Sequence, residues 1–148
     1  MSKAAEISFE TTLLVRDTCL CLHLQRAARA LARRFDDALR PLGLTSGQYS
    51  MMMALNRPEP PSIGSVASLL SMDRTTLTAA LKPLQRRDLV TVMVDVADRR
   101  GRRLQLTSAG RALLARAFPV WRRTHAEINR LLAGNGMDRL RRDLQTLR

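Results

Sequence analysis

With 148 residues, 45% apolar and only 3% aromatic, the chain suits a single domain whose modest core is built from Leu, Ala, Val and Met rather than a disordered segment. Twenty-five Lys and Arg against 13 Asp and Glu leave a formal charge of +12, which points to a polyanionic partner, nucleic acid ahead of acidic membrane. No stretch approaches the roughly 20 apolar residues of a membrane span, two closely spaced cysteines exclude a secreted disulfide framework, and the opening residues show no signal-like apolar run, so a cytoplasmic location is expected.

In chain order, Leu20, Leu24, Ala27, Leu31, Phe35 and Leu39 recur at helical spacing over residues 18–42, and Pro41 and Gly43 end that helix. Thr45 or Ser46 caps a second helix whose buried candidates are Tyr49, Met52, Met53 and Leu55. Pro58, Pro60 and Pro61 prevent it from continuing and mark a surface turn. Residues 62–70 then place Ile63, Val66, Ala67 and Leu70 on one face, and a turn follows at Ser71 and Met72. Asp73 is a suitable N-cap for a helix over residues 74–87 with Leu77, Leu81 and Leu84 buried, although Pro83 predicts a kink or a tightening near its end.

The period changes next. Residues 89–94 are rich in β-branched side chains, and residues 102–107 alternate with Leu104 and Leu106 on one face. The polar tip over residues 96–101 joins them as a β-hairpin. Thr107 or Ser108 opens a long helix carrying Leu113, Leu114, Trp121, Ile128 and Leu131, bent at Pro119 and stopped by Gly134, Asn135 and Gly136. Residues 138–147 form a short amphipathic helix with Leu140, Leu144 and Leu147. The expected fold is mainly α with a small β-hairpin: one domain over residues 1–148, with a winged helix-turn-helix at 45–107 between dimerisation helices at 13–42 and 109–147. The outer helices carry more apolar surface than one small domain needs, so a second copy is expected to cover it.

The helix that begins at Arg74 has the side chains of a DNA-reading helix. Arg74, Thr75, Thr76, Thr78 and Lys82 fall largely outside its leucine stripe. A helix N-terminus in a major groove brings amides and dipole toward phosphates, Thr reaches base edges or thymine methyls, and Arg grips guanine through two hydrogen bonds. By themselves these are also ordinary solvated positions. Arg99 and Arg100 on the hairpin tip are suited to a minor groove or its flanking phosphates, with Asp98 as support. A charged turn that blunts an edge strand looks the same in isolation. The basic helix just upstream favours the DNA reading.

These motifs closely resemble the MarR family of bacterial regulators. The similarity is carried by Leu42-Gly43-Leu44-Thr45 with Gln48, by the stretch from Val66 through Asp73-Arg74-Thr75-Thr76-Leu77-Thr78, by Leu89-Val90, and above all by Asp98-Arg99-Arg100 followed by Leu106-Thr107-Ser108-Ala109-Gly110. The resemblance spans roughly residues 13–147. It implies a homodimer that presents two reading helices and two wings to a palindromic double-stranded DNA operator. It further implies a repressor that lets go on binding a small phenolic or lipophilic effector, with constitutive or cysteine-based redox control as the alternative. Two positions depart from the family pattern. Asp88 stands where glycine usually supplies a left-handed backbone, and Thr91 and Val92 replace the arginine that often follows Leu-Val.

Cys19 and Cys21 invite a redox or metal reading. On one continuous helix they point about 200° apart, which opposes both a shared ion and a disulfide between them. Cys19 and His23 share a face but need further ligands, so packed thiols are the expectation and neither metal nor cofactor is expected. His23 and His125 are isolated, and no phosphate loop, paired zinc motif or nucleophile elbow is present, so no enzyme is expected. Met51, Met52 and Met53 suit either the core or an adaptable ligand pocket.

Overall fold

A computed structural model describes residues 6–132 and 136–148. The chain runs α1 (Phe9–Thr18), α2 (Leu20–Leu39), a 3-10 turn (Arg40–Leu42), α3 (Ser46–Ala54), α4 (Ile63–Leu69), α5 (Arg74–Arg86), β1 (Val90–Val94), β2 (Arg102–Leu106), α6 (Ser108–Leu131) and α7 (Met137–Gln145). It is a mainly helical fold with one antiparallel hairpin. Gly134 and Asn135, expected to stop the long helix, lie outside the described residues.

Side-chain caps start most of the helices. Thr45 and Gln48 form a reciprocal capping box on α3, Ser62 caps α4, Asp73 caps α5 and Thr107 caps α6. α1 is an element the apolar periodicity did not reveal. Ser8 caps it by accepting from the Thr11 amide, and Glu10 lies in its first turn. The chain breaks at Cys19, whose extended backbone (φ −67°, ψ 106°) ends α1 and precedes α2. α5 continues through Pro83 and α6 through Pro119, although neither proline has an amide to donate to the preceding turn.

The core lies where α3, α4, α5, the hairpin and the first half of α6 meet. Leu39, Met52, Val66, Leu77, Leu81, Leu84, Val90 and Leu104 are essentially inaccessible. Leu113, Leu114 and Ala117 close it from α6. Met51 is buried in α3, whereas Met53, expected inside, is only half-buried at the surface of the cluster. The hairpin pairs Val90 with Leu106 and Val92 with Leu104, which turns both leucines of β2 into the core. Its outer edge is not free. Ser62 makes a bridge to Arg103, and the Leu104 amide donates to the Pro61 carbonyl at 2.9 Å.

The outer helices bury little within one chain. Neither α1 nor α7 has a buried residue, and Leu39 is the one buried residue of α2. Leu20 and Leu31 of the expected stripe are exposed, as is Leu131 at the end of α6. The 3.6-residue period predicted the helix correctly, but this chain closes the apolar face it defines only at Leu39 and leaves Leu24 and Phe35 half-buried.

Two non-glycine residues take a left-handed backbone in the turns on either side of α5. Asp88 adopts the left-handed conformation (φ 54°) that its place before the wing demands, and Ser71 does the same (φ 52°) in the turn between α4 and α5. The Thr107 amide and hydroxyl then donate to the Leu89 and Asp88 carbonyls at 3.1 and 2.6 Å, pinning the start of α6 against the start of the hairpin.

Candidate nucleic-acid interface

The turn at Ser71 separates α4 from α5 and makes the two a helix-turn-helix. On α5 the buried residues are Leu77, Leu81 and Leu84, so the opposite face is solvated, and Arg74, Thr75, Thr76, Thr78 and Lys82 are all exposed. Their chemistry is not equivalent. The two carboxylate oxygens of Asp73 accept from the Thr76 amide at 2.8 Å and the Thr76 hydroxyl at 2.7 Å, and these bonds hold its carboxyl below the usual aspartate range. The Thr76 hydroxyl is therefore committed to the cap. The Thr78 hydroxyl donates back to the Arg74 carbonyl at 2.8 Å, which commits its proton although the residue itself is exposed. Among the described residues, Thr75 keeps a hydroxyl with no partner in the chain. Arg74 folds back across α4: a β-carbon on Gly64 would lie 2.8 Å from its Nη2.

In the hairpin tip, Arg99 and Arg100 are exposed, and among the described residues neither guanidinium pairs with a carboxylate. Asp98, expected to steady an arginine side chain, instead shapes the turn. Its carboxylate accepts from the Arg100 amide at 3.1 Å and its carbonyl from the Gly101 amide at 2.8 Å. Arg102 closes the turn by donating from Nη1 to the carbonyls of Arg99 and Gly101. The ion pair at the base of the tip joins two residues the sequence did not single out, Asp95 and Arg103, at 3.1 Å. Arg103 looks like any outward residue in an alternating strand. Only the approach of the distant proline turn makes it distinctive.

A cleft of about 470 Å³ opens beside this unit, lined by Tyr49, Ser50 and Met53 of α3, Leu69 and Leu70 of α4, and Phe118 and Trp121 of α6. Trp121 stacks between Tyr49 (6.4 Å), Phe118 (6.0 Å) and His125 (4.7 Å). Burial pushes the Tyr49 phenol up. Of the three methionines, Met51 and Met52 are core and Met53 faces the cleft.

The cysteines depart from expectation. Because Cys19 sits in a break between helices, the divergence that one continuous helix would impose on Cys19 and Cys21 does not apply. Cys21 is exposed rather than packed, its sulfur accepting from Gln25 Nε2 at 3.2 Å, while His23 Nε2 donates to the Asp17 carbonyl at 3.0 Å. Among the described residues, no three His, Cys, Asp or Glu side chains gather as a metal site, and no helix is long and apolar enough to cross a membrane.

A helix-turn-helix followed by an arginine-tipped hairpin packed on the same core defines the winged-helix class of DNA-binding proteins. The sequence pattern of the MarR family matches residues 44–101, from the start of α3 through the wing tip. The transcriptional regulator MosR of M. tuberculosis, solved in complex with DNA, is 38% identical and superposes with a TM-score of 0.79 over 87% of this chain and 92% of that one. The repressor CouR bound to a 23-mer DNA duplex is 28% identical, with a TM-score of 0.80 over 97% and 99% of the two chains, and is also known bound to p-coumaroyl-CoA. The activatory protein BadR of Rhodopseudomonas palustris is 33% identical over 95 residues, which cover 62% of this chain and 54%, about half, of that protein. The chain belongs to the MarR family of transcriptional regulators.

Proposed function

We propose that the protein is a homodimeric, sequence-specific regulator of transcription that grips duplex DNA with α5 and the wing, represses its target, and releases the operator when a small ligand enters the cleft. The observation that carries this reading is the solvated face of α5, with Arg74, Thr75, Thr78 and Lys82 opposite a fully buried leucine stripe, followed by a hairpin whose tip arginines are uncompensated. Thr75 reads base edges, Arg74 does so by swinging its guanidinium off α4, Thr78 supplies a methyl contact, Lys82 neutralises phosphate, and Arg99 and Arg100 enter or flank the minor groove. Thr76 contributes by holding the cap rather than by contacting a base. Dimerisation is supported by the exposed apolar side chains of α1, α2 and α7, including Phe9, Leu14, Leu140 and Leu144. The effector is a planar phenolic or lipophilic molecule stacked on the aromatic row of the cleft, a chemistry consistent with the CoA thioester bound by CouR. The role is regulatory rather than enzymatic, and its place is the cytoplasm with the chromosome.

The test is selection of genomic DNA fragments by the purified protein, followed by titration of the recovered operator. Arg74→Ala is expected to cost about 1–3 kcal/mol on the operator and far less on random DNA. Equal losses on both would contradict base reading. Replacing Arg99 and Arg100 with Ala is expected to flatten the dependence of affinity on salt. An unchanged slope would remove the wing from the interface.

A further inference from the structure

We infer that Asp95 and Arg103 are positioning residues for the wing: together they set the angle at which Arg99 and Arg100 meet DNA, without themselves touching the duplex, an assignment that presupposes the DNA-binding reading above. Asp95 follows β1 directly and is well covered, its side chain only 14% exposed, although the loop beyond it is open to solvent. One of its carboxylate oxygens accepts from the Ala97 amide at 3.0 Å, inside the tip loop, and the other from Arg103 Nε at 3.1 Å. Its amide donates to the Gly101 carbonyl at 3.1 Å, closing the same loop from the other side. Arg103 continues outward, and its Nη1 donates to the Pro60 carbonyl at 2.9 Å. The neighbouring Leu104 amide donates to the Pro61 carbonyl, also at 2.9 Å. A continuous chain of bonds therefore runs from the tip loop through Asp95 and Arg103 to the turn between α3 and α4.

That anchor is rigid for a chemical reason. The turn contains Pro58, Pro60 and Pro61, whose rings fix φ, and Pro61 also restricts ψ of Pro60, which sets the direction of the Pro60 carbonyl. The planar guanidinium suits the task, since it offers donors in two fixed directions, one to the carboxylate and one to the carbonyl. A lysine at position 103 presents a single point of charge and cannot hold the same two partners in the same geometry. The electrostatics point the same way. A carboxylate in the wing of a DNA-binding protein repels phosphate, so Coulomb attraction alone would favour its absence. Its presence is accounted for by geometry rather than by charge.

The sign of one substitution tests this. A duplex recovered by in vitro selection from a randomised pool serves as the probe, with affinity read by fluorescence anisotropy. Asp95→Asn raises the net charge by one and keeps an acceptor for the Ala97 amide, but sets an amide against Arg103. If the pair positions the tip, Asp95→Asn weakens binding by about threefold to tenfold, in the lower part of the coupling found within one hydrogen-bonded network. Arg103→Lys also weakens binding despite conserving charge. In a background carrying Arg99→Ala and Arg100→Ala, Asp95→Asn no longer weakens binding, because the groups it aims are gone. Unchanged or tighter binding by Asp95→Asn overturns the assignment, and so does a loss that persists undiminished in the tip-less background. Should Arg103→Lys fail to fold, the near-isosteric Asp95→Asn carries the test by itself. A wild-type protein that enriches no duplex from the pool overturns the DNA-binding reading itself, which is a separate result.

Discussion

A β-carbon on Gly110 would lie 2.1 Å from the Leu89 carbonyl oxygen, because the first turn of α6 is drawn onto the start of the hairpin by the two bonds that Thr107 makes to Asp88 and Leu89. The obstacle is backbone and cannot swing aside. Gly110→Ala is therefore expected to cost about 2–3 kcal/mol, read as a lowered denaturant midpoint, and a variant of wild-type stability would show that the junction yields. Asp88 presents the opposite case, a side chain where glycine is easier. With φ at 54°, Asp88→Gly relieves left-handed strain but frees the unfolded chain, for a net gain of about 0.5–1 kcal/mol. A lowered melting temperature would contradict that balance. Both residues stood out in the sequence for what the resemblance implied about them. The distances that explain Gly110 come from two segments 21 positions apart, and no local pattern contains them.

Among the elements, α5 was the most legible, since a cap, a leucine stripe at three- and four-residue spacing and an exposed polar row all agree. Its cap also predicts a pH dependence. The hydrogen bonds from Thr76 make the Asp73 carboxyl more acidic in the folded protein than in the unfolded chain. The stabilisation it confers is accordingly complete above the ordinary aspartate value near 4 and is lost as pH falls through the lowered folded value. Asp73→Asn still caps but does not titrate. The melting temperature of the wild type is expected to fall toward that of the Asn variant on acidification from about pH 5 to pH 3, and parallel curves would refute the assignment. α1 was illegible by comparison. It is ten residues long, buries none of them and shows only a serine cap and one early glutamate.

At the scale of the molecule, the outer helices leave an apolar surface that one chain does not cover. Phe9, Leu14, Leu20, Leu140, Leu144 and Leu147 are all at least 40% exposed. A second copy covers such a surface in the proposed dimer, where apolar contact has to offset the repulsion between two chains of charge +12. Sedimentation at micromolar concentration is expected to show a dimer, and the pair Leu140→Asp and Leu144→Asp to shift it toward monomer with a parallel loss of operator affinity. The two reading helices of that dimer predict half-sites about 10 bp apart. A wild-type monomer would undo this geometry.

Periodicity, caps and turn chemistry determined the order of elements from α2 to α7, the polar outer face of α5 and the basic hairpin, because each is encoded in contacts between residues a few positions apart. The tertiary structure alone decided three things: that Asp98 braces backbone while Asp95 engages Arg103, that Met53 faces a cleft while Met51 is core, and that Cys19 interrupts a helix instead of riding on one. The first depends on how the hairpin closes, which sets whether a carboxylate meets backbone amides or an arginine of the facing strand, and the second on which distant segment arrives opposite the side chain. The third is a choice of one backbone angle that neither composition nor spacing constrains.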